Sequence, residues 1–552
     1  MSSESLHKPG DSPVMTAELV DQPANWRDKL DAWLDRGSEW LNPILVKESR
    51  QAFKSRQFLV TFSLLLICCL LWSLFVVAIR SPGIYYAPAG RFLLAGYFAI
   101  LIFPLTIIIP FSAFRSLAGE RDDGTYELLS ISTLRPRQII TGKMSSSMLQ
   151  LLIYLSVLAP CMTFTYLLRG VDIATIVIVV FYSGLTCWFL SAMGLMLATL
   201  TGPRHWQIVA SVFFILLLAI TWLTVCIWGA TAISQAPSVS IDNWTFWGIN
   251  GAIISGLVAG GTMFLLAATA RITPRSENRS TALRVGMVAC HLVNFMWWMF
   301  LMTIVAEGEI IAFYALYTSF TWFVFGALMV GEDHLLSPKI RRGLPKTLFS
   351  RVFLTLFCPG PGTGYLFAIS NMLTMFFGSC CLASYVAHQT DLVDFIAGTW
   401  VLVCYAVIYL GVARLLLRWM GKTTSTGPVL GLLISIILIG LTSLLSMIGQ
   451  LMLWVDDYTL LQLPNVFWTT IEVMDGTRKD MMVLIVAILS ATAAIIFLIN
   501  MLRLSKQLML VQTVTPQRVM EDEAVLNPPP EVTKVKSSPW DDDEEDEKAD
   551  EK

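Results

Sequence analysis

Few residues in this chain have the types and spacing that chemistry requires. Gly421-Lys422-Thr423 has the form of the end of a phosphate-binding loop, where glycine N–H groups and a lysine cradle a nucleotide. The glycine required five residues before Gly421 is instead Leu416, no strand precedes it, and Arg414 to Met420 close an apolar run. Lys422 therefore reads as an ordinary basic residue flanking a membrane span. The ten cysteines fall nearly all inside apolar runs, as Cys68, Cys69, Cys187, Cys226, Cys380 and Cys381 do. A thiol there behaves as a small hydrophobe, and no spacing marks a metal site or a disulfide framework. His291 reads as a hydrogen-bonded structural histidine. No His/Asp/Glu/Cys constellation collects at one membrane face, so the chain is expected to be neither an enzyme nor a cofactor- or metal-binding protein.

One stretch does carry a constellation, and its chemistry is docking. Glu120 to Lys143, ERDDGTYELLSISTLRPRQIITGK, is a charged, turn-containing interruption between two long apolar segments. Asp123 can cap a helix beginning near Gly124-Thr125, with Glu120, Asp122 and Asp123 near its positive end. Tyr126, Leu128, Leu129 and Ile131, with Glu127 among them, offer apolar anchors to a partner's groove. Arg135-Pro136 then restarts a helix, with proline at a tolerated first position. A hairpin packed on its own protein is the other reading.

The elements that would position this stretch are membrane helices. Of the 552 residues, 55% are hydrophobic and 14% charged, and the mean hydropathy is +0.66. Soluble domains are less apolar and carry more charge. Twelve apolar runs, at 58–79, 92–114, 147–168, 173–200, 206–229, 249–270, 285–305, 309–331, 364–387, 394–417, 428–453 and 481–502, are each long enough to cross a bilayer. The expected fold is an all-α polytopic membrane protein with about twelve transmembrane helices.

Charge sets the expected orientation. The first 57 residues lack the apolar core and cleavage pattern of a secretory signal, so the amino terminus is expected to face the cytoplasm, as is the carboxy terminus. With that topology 33 of the 38 Lys and Arg fall on the inner side, the asymmetry of the positive-inside rule. None of the charged residues falls deep within a span, which argues against a proton- or sodium-coupled carrier.

The expected organisation follows from these segments. Residues 1–24 read as disordered. Residues 25–57 read as a cytoplasmic helix whose Trp26, Trp33 and Trp40 share a face, with Lys47 and Arg50 among the positive charges nearby. Such a helix suits the bilayer interface; packing on another cytoplasmic domain is the alternative. Residues 58–270 form a first six-span domain containing the loop 115–146, 271–284 a linker, and 285–502 a second six-span domain. Residues 503–552 form an acidic disordered tail. SPKIRRGLPKT, in the loop Glu332 to Arg351, sits where the docking stretch sits in the first half. A 6+6 pseudo-repeat is one reading, though direct residue matching is weak. The segment Trp454 to Asp480 reads as a solvated outer loop. Ala230 to Trp247, with Trp244, Phe246 and Trp247 and no Lys or Arg, reads as an interfacial aromatic belt.

NPILVKESRQAFKSRQF, residues 42–58, and the stretch 120–143, in register with six spans, resemble the permease subunits of ABC type-2 transporters. The likeness is to the bacterial branch whose members begin with an Asn-Pro-x-x-x-Lys-Glu-x-Arg helix, here Asn42, Pro43, Lys47, Glu48 and Arg50. It covers about residues 42–275, and it implies short outer helices over Ala230 to Trp247 as an equal alternative to the aromatic belt. It implies an amino-terminal helix along the cytoplasmic interface and a coupling helix around Gly124 to Ile131, docking on a separate nucleotide-binding ATPase subunit. ATP-Mg would be bound by that partner and not by this chain. Implied with it are a multi-pass location in the bacterial cytoplasmic (inner) membrane, the lipid bilayer as surroundings, a second permease chain if one chain does not supply both halves, and no nucleic acid. The alternatives are a partner-independent carrier of a neutral or lipid-like solute and a non-transport membrane scaffold.

Overall fold

The computed structural model describes residues 42–83, 86, 88–122, 134–200, 204–235, 244–274, 277–304, 308–332, 355–386, 389–420, 427–454, 458–475, 479–510 and 517–526. Among them the regular structure is helical, and twelve helices are long and apolar enough to cross a membrane. Each overlaps one of the twelve runs expected from composition. The chain divides into two compact units, one ending at Ile272 and the other beginning at Thr273.

Unit 1 starts with a short helix, α1 (Pro43–Lys54), followed by α2 (Arg56–Arg80). The helix expected to run through to residue 57 breaks at Ser55. Its hydroxyl donates to the Ala52 carbonyl and accepts from Phe58 N–H, so one side chain ends α1 and caps α2. The second span is α3 (Gly90–Phe103) and α4 (Ile109–Asp122), joined by a π turn at Pro104–Ile108. Proline has no N–H to donate, and the ladder slips by one residue there. Thr106 donates to the Ile102 carbonyl at 2.6 Å, satisfying an acceptor inside the bend. Then follow α5 (Pro136–Leu167), α6 (Ile173–Leu200), α7 (Arg204–Gln235) and α8 (Trp244–Ile272).

Unit 2 contains α9 (Thr281–Ile304), α10 (Gly308–Val330), α11 (Pro361–Val386), α12 (Gln389–Met420) and α13 (Pro428–Leu453). The short α14 (Val466–Met474), the last span α15 (Lys479–Leu510) and a polar helix α16 (Gln517–Leu526) complete it.

The packing order inside the two units is the same. In each, the second span packs on the third, fourth and fifth, the third also on the fourth and sixth, and the fourth also on the fifth and sixth; the first lies against the second. In unit 1 the first span also packs on the third, and in unit 2 Arg284 of the first donates to Thr363 of the third. The two units thus share their neighbour relations, although direct residue matching between them is weak. The outward faces stay apolar, with Leu59, Leu74, Ile79, Ile437 and Leu445 all exposed, as helices facing lipid require. Between spans, hydroxyls are paired: Thr61 with Tyr154 at 2.6 Å, Tyr182 with Asn250 at 2.6 Å, and Tyr409 with Thr442 at 2.7 Å.

The segment expected as a solvated loop near 454–480 is instead a packed cap where it is described. A 3-10 turn (Leu460–Gln462) leads into α14, which Asn465 caps by accepting from Phe467 and Trp468 N–H. Tyr405 and Tyr409 of α12 donate to the Leu463 and Pro464 carbonyls, and Tyr458, Thr469 and Val473 are buried. Tyr458, Leu463, Val466 and Val473 supply the apolar face that packs against α12.

Candidate functional site

The site grows from the motif Asn42 to Arg50. Asn42 caps α1, its Oδ1 accepting from Ile44 N–H at 3.1 Å, and Pro43 takes the first helical position. The same amide reaches across the chain, Nδ2 donating to the Gln138 carbonyl at 2.5 Å in the first turn of α5. That turn begins at Pro136, and Gln138 Oε1 accepts from the Arg135 N–H at 2.9 Å. Ile44 is buried against Gly142. A Cβ at Gly142 would lie 2.8 Å from Ile44 Cβ and 2.9 Å from Asn42 Nδ2, so this close approach requires glycine.

One turn further on, charge takes over. Lys143 of α5 is buried, its side chain 1% exposed, with Nζ 2.8 Å from Glu48 Oε1 and 3.1 Å from Glu120 Oε2. It also donates to the Ser116 carbonyl and hydroxyl, both at 3.3 Å. Lys47, mostly exposed, adds a 3.4 Å ion pair to Glu120 Oε1. Lys47, Glu48, Glu120 and Lys143 form a network of zero formal charge. An ammonium taken out of water costs several kcal/mol unless it is paired and hydrogen-bonded, and here four acceptor groups from three residues surround it. The result is a clamp: α1, the end of α4 and the start of α5 are fastened at one end of the unit. Neighbouring contacts stiffen it. Arg121 donates to the last carbonyls of α6, at Ala198 and Thr199, and Gln207 of α7 donates to Ala118 O at 2.8 Å.

The expected loop 115–146 is consequently mostly helix at its described ends. Polarity ended the second apolar run near residue 114, but α4 continues to Asp122, and α5 begins eleven residues before the third run. Length of helix and length of apolar run differ because the clamp stabilises the polar turns that project beyond the run. Glu120, Arg135 and Pro136 lie at this junction. Asp123, Gly124, Thr125, Tyr126, Glu127, Leu128, Leu129 and Ile131 lie outside the described residues, as do Trp26, Trp33 and Trp40. Arg50 is exposed on α1. Of the motif, therefore, Asn42, Lys47 and Glu48 bind the hairpin of α4 and α5.

Lys143, Ser116 and Gln207 escaped the sequence reading. The signal for Lys143 was its phase: it shares a helical face with Ile139, Ile140 and Met144, all buried, where a lysine has to be paired.

Unit 2 has a clamp at the corresponding junction. Arg284, in the first turn of α9 and 1% exposed, places Nη2 2.8 Å from Glu332 Oε2, just past α10. Its Nη1 donates to the Leu356 and Cys358 carbonyls, each at 2.6 Å, and to Thr363 Oγ1 at 3.2 Å. Glu332 also accepts from Ser280 Oγ at 2.7 Å and from Gly360 N–H at 2.8 Å. The guanidinium lies 5.7 Å over the Phe367 ring. Burial pushes the Cys358 thiol up, so it stays neutral beside the arginine. Beyond Glu332 the loop to residue 351 lies outside the described residues.

Other candidates resolve as structural. His291 Nδ1 accepts from Trp322 Nε1 at 3.0 Å. All ten cysteines are free thiols. Among the described residues no group of three His, Cys, Asp or Glu is placed to hold a metal. Beside the first clamp an open groove of about 340 Å³ is lined by Leu45, Met144, Met148, Leu149, Trp188 and Leu265.

No family model matches this chain, and no curated protein or solved structure does so either. The site is therefore read on its own geometry.

Proposed function

We propose that this multi-pass membrane protein is the permease of an ATP-driven transporter, an exporter in which a separate nucleotide-binding subunit hydrolyses ATP. The observation that carries this reading is the first clamp. It fastens α1, α4 and α5 into one body, and residues 123–133, the segment read as the coupling helix, follow α4 and precede α5 in the sequence. A push on that segment by a partner would pass through two clamped helices into the second and third spans. The second span packs on most of the others in its unit, so displacing it moves the bundle. The shared packing order of the two units supports a single chain supplying both halves of the pathway. The apolar groove beside the first clamp favours a lipid-like or amphipathic cargo over a small ion.

The test is co-purification with a nucleotide-binding ATPase subunit, followed by reconstitution of both. Leu128→Glu and Leu129→Glu are expected to abolish the association and the stimulation of ATPase activity. Unchanged association and stimulation would remove the coupling assignment. Solute movement by this chain alone, without ATP, would instead identify a partner-independent carrier; absence of movement across a broad panel of solutes would identify a scaffold.

A further inference from the structure

We propose that unit 2 carries a hydrated polar site deep in its bundle, at Gln462 and Thr470, which takes water or the hydroxyl or amide group of a neutral solute. This inference is independent of any coupling partner. Both residues belong to the segment 458–475, and its contacts fix how far that segment reaches. Pro464 O accepts from Tyr409 of α12, whose hydroxyl also meets Thr442 Oγ1 of α13 at 2.7 Å. Thr442 lies eleven residues before Leu453, the last residue of α13, which is about 16 Å along the helix. At the far end of α14, Met474 lies against Gly398 of α12, where a side chain would collide with it. Gly398 is eleven residues before Tyr409, again about 16 Å along the helix. Two helices thus give one depth. The hydrocarbon of a bilayer is about 30 Å thick, so the turn from Leu460 to Pro464 stands near its middle.

Backbone outside a regular helix is tolerated at that depth only inside protein or beside water. Here its carbonyls are all taken. Leu460 O accepts from Leu463 N–H, Leu461 O from Ser446, Gln462 O from Asn465 N–H and Thr469 Oγ1, Leu463 O from Tyr405 and Pro464 O from Tyr409. The side chains differ. Gln462 is 1% exposed, and neither its Oε1 nor its Nε2 is bonded by a protein group. Thr470, next to Thr469 and 4% exposed, has an unbonded hydroxyl, and so does Ser443, next to Thr442 on α13. Other polar side chains of α12 are matched, as Trp400 Nε1 is by Ser490 Oγ at 2.9 Å. A buried amide with neither end bonded is strongly unfavourable, and native proteins rarely leave one so. Its occupant must donate to Oε1 and accept from Nε2. A bare cation would leave Nε2 without an acceptor, and a bare anion would leave Oε1 without a donor. Water, a hydroxyl or an amide serves both, and the hydroxyls of Thr470 and Ser443 continue the same chemistry. Internal water collects at polar groups that packing leaves over, and membrane transporters bind solutes where broken segments reach mid-depth.

The test uses the full chain in phosphatidylcholine nanodiscs and reads two quantities. The first is the thermal unfolding midpoint of Gln462→Leu, which keeps an apolar side chain of similar size and removes the amide. An amide that holds water or solute loses real bonds, so the midpoint is expected to fall by about 2–4 °C. An amide that is merely orphaned loses a penalty, and the midpoint would rise. The second quantity identifies the occupant. Tyr458 is 3% exposed and its hydroxyl lies 3.0 Å from Thr469 Oγ1, so radiolytic hydroxyl labelling of its ring reports water standing in the site. Glycerol and acetamide are titrated in parallel, and thermal protection that wild type shows and Gln462→Leu lacks assigns the site to a solute group. Should Gln462→Leu not fold, Thr470→Val takes its place in both measurements, with an expected fall of about 1–2 °C. A midpoint equal to or above wild type overturns the proposal, as does the absence of both Tyr458 labelling and Gln462-dependent protection.

Discussion

The two clamps solve one problem with different chemistry. In unit 1 the cation comes from the third span, as Lys143, and two carboxylates reach it from α1 and α4. In unit 2 it comes from the first span, as Arg284, and a single carboxylate just past the second span meets it, helped by backbone carbonyls before the third. Each clamp fastens the entry to the first span, the exit of the second and the entry to the third. The place in the six-span unit is common to both; the residues are not. Lysine offers a compact charge with three donors, which suits acceptors arriving from three directions. Arginine offers a planar fork, which suits carbonyls and a carboxylate arranged around one plane. A packing scheme can therefore outlast the side chains that fasten it, and direct residue matching between the halves found little for that reason.

The largest effect should fall on the second clamp. Arg284→Met leaves the Glu332 carboxylate with no cation, and Glu332→Gln leaves a guanidinium that is 1% exposed without a counter-charge. Each is expected to cost about 3–5 kcal/mol, read as a large drop in the thermal unfolding midpoint of detergent-purified protein. A loss no greater than that of a surface ion pair would show that the two clamps are not equivalent supports.

The first clamp should lose less per substitution, because its charge is spread over four groups, so that Lys47 still faces Glu120 when Lys143 is lost. Lys143→Met is expected to destabilise by about 2–4 kcal/mol, and adding Glu48→Gln should return part of that loss, since the pair couples. Strict additivity in the double-mutant cycle would argue that α1 is held by packing at Ile44 and Gly142 alone.

The smallest effects belong to the rim. Lys47→Ala removes an ion pair whose lysine is 60% exposed and should cost no more than about 1 kcal/mol, less at high salt. Asn42→Ala removes both a helix cap and the bridge to Gln138, for about 1–2 kcal/mol, and should speed hydrogen exchange across α1 without affecting unit 2. If exchange in α1 stays unchanged, the amide bridge is not what seats it.

Much of the fold was legible because membrane spans are read from length and apolarity. A helix crossing the hydrocarbon must satisfy its own backbone and tolerate lipid on its outer face, so each of the twelve is visible locally. Helix ends were less legible. The run of apolar residues near 114 ended before the helix did, since polar turns held by tertiary contacts leave no apolar signature. The break at Ser55 was equally hidden, resting on one hydroxyl used twice. The loop expected near 454–480 became a cap because Tyr405 and Tyr409, distant in sequence, donate to its carbonyls.

By itself the sequence determined the class of protein, the number and order of its spans, and the place between the second and third where polar residues gather. Those depend on transfer of local segments between water and lipid, a property each segment carries alone. Tertiary structure decided which charges are neutralised by an opposite charge and which are held by other groups. Lys143 meets Glu48 across 95 residues and Arg284 meets Glu332 across 48, whereas Arg414 meets no carboxylate among the described residues. Coulombic partnership depends on distance and burial after folding, and neither is written in the spacing of residues along the chain.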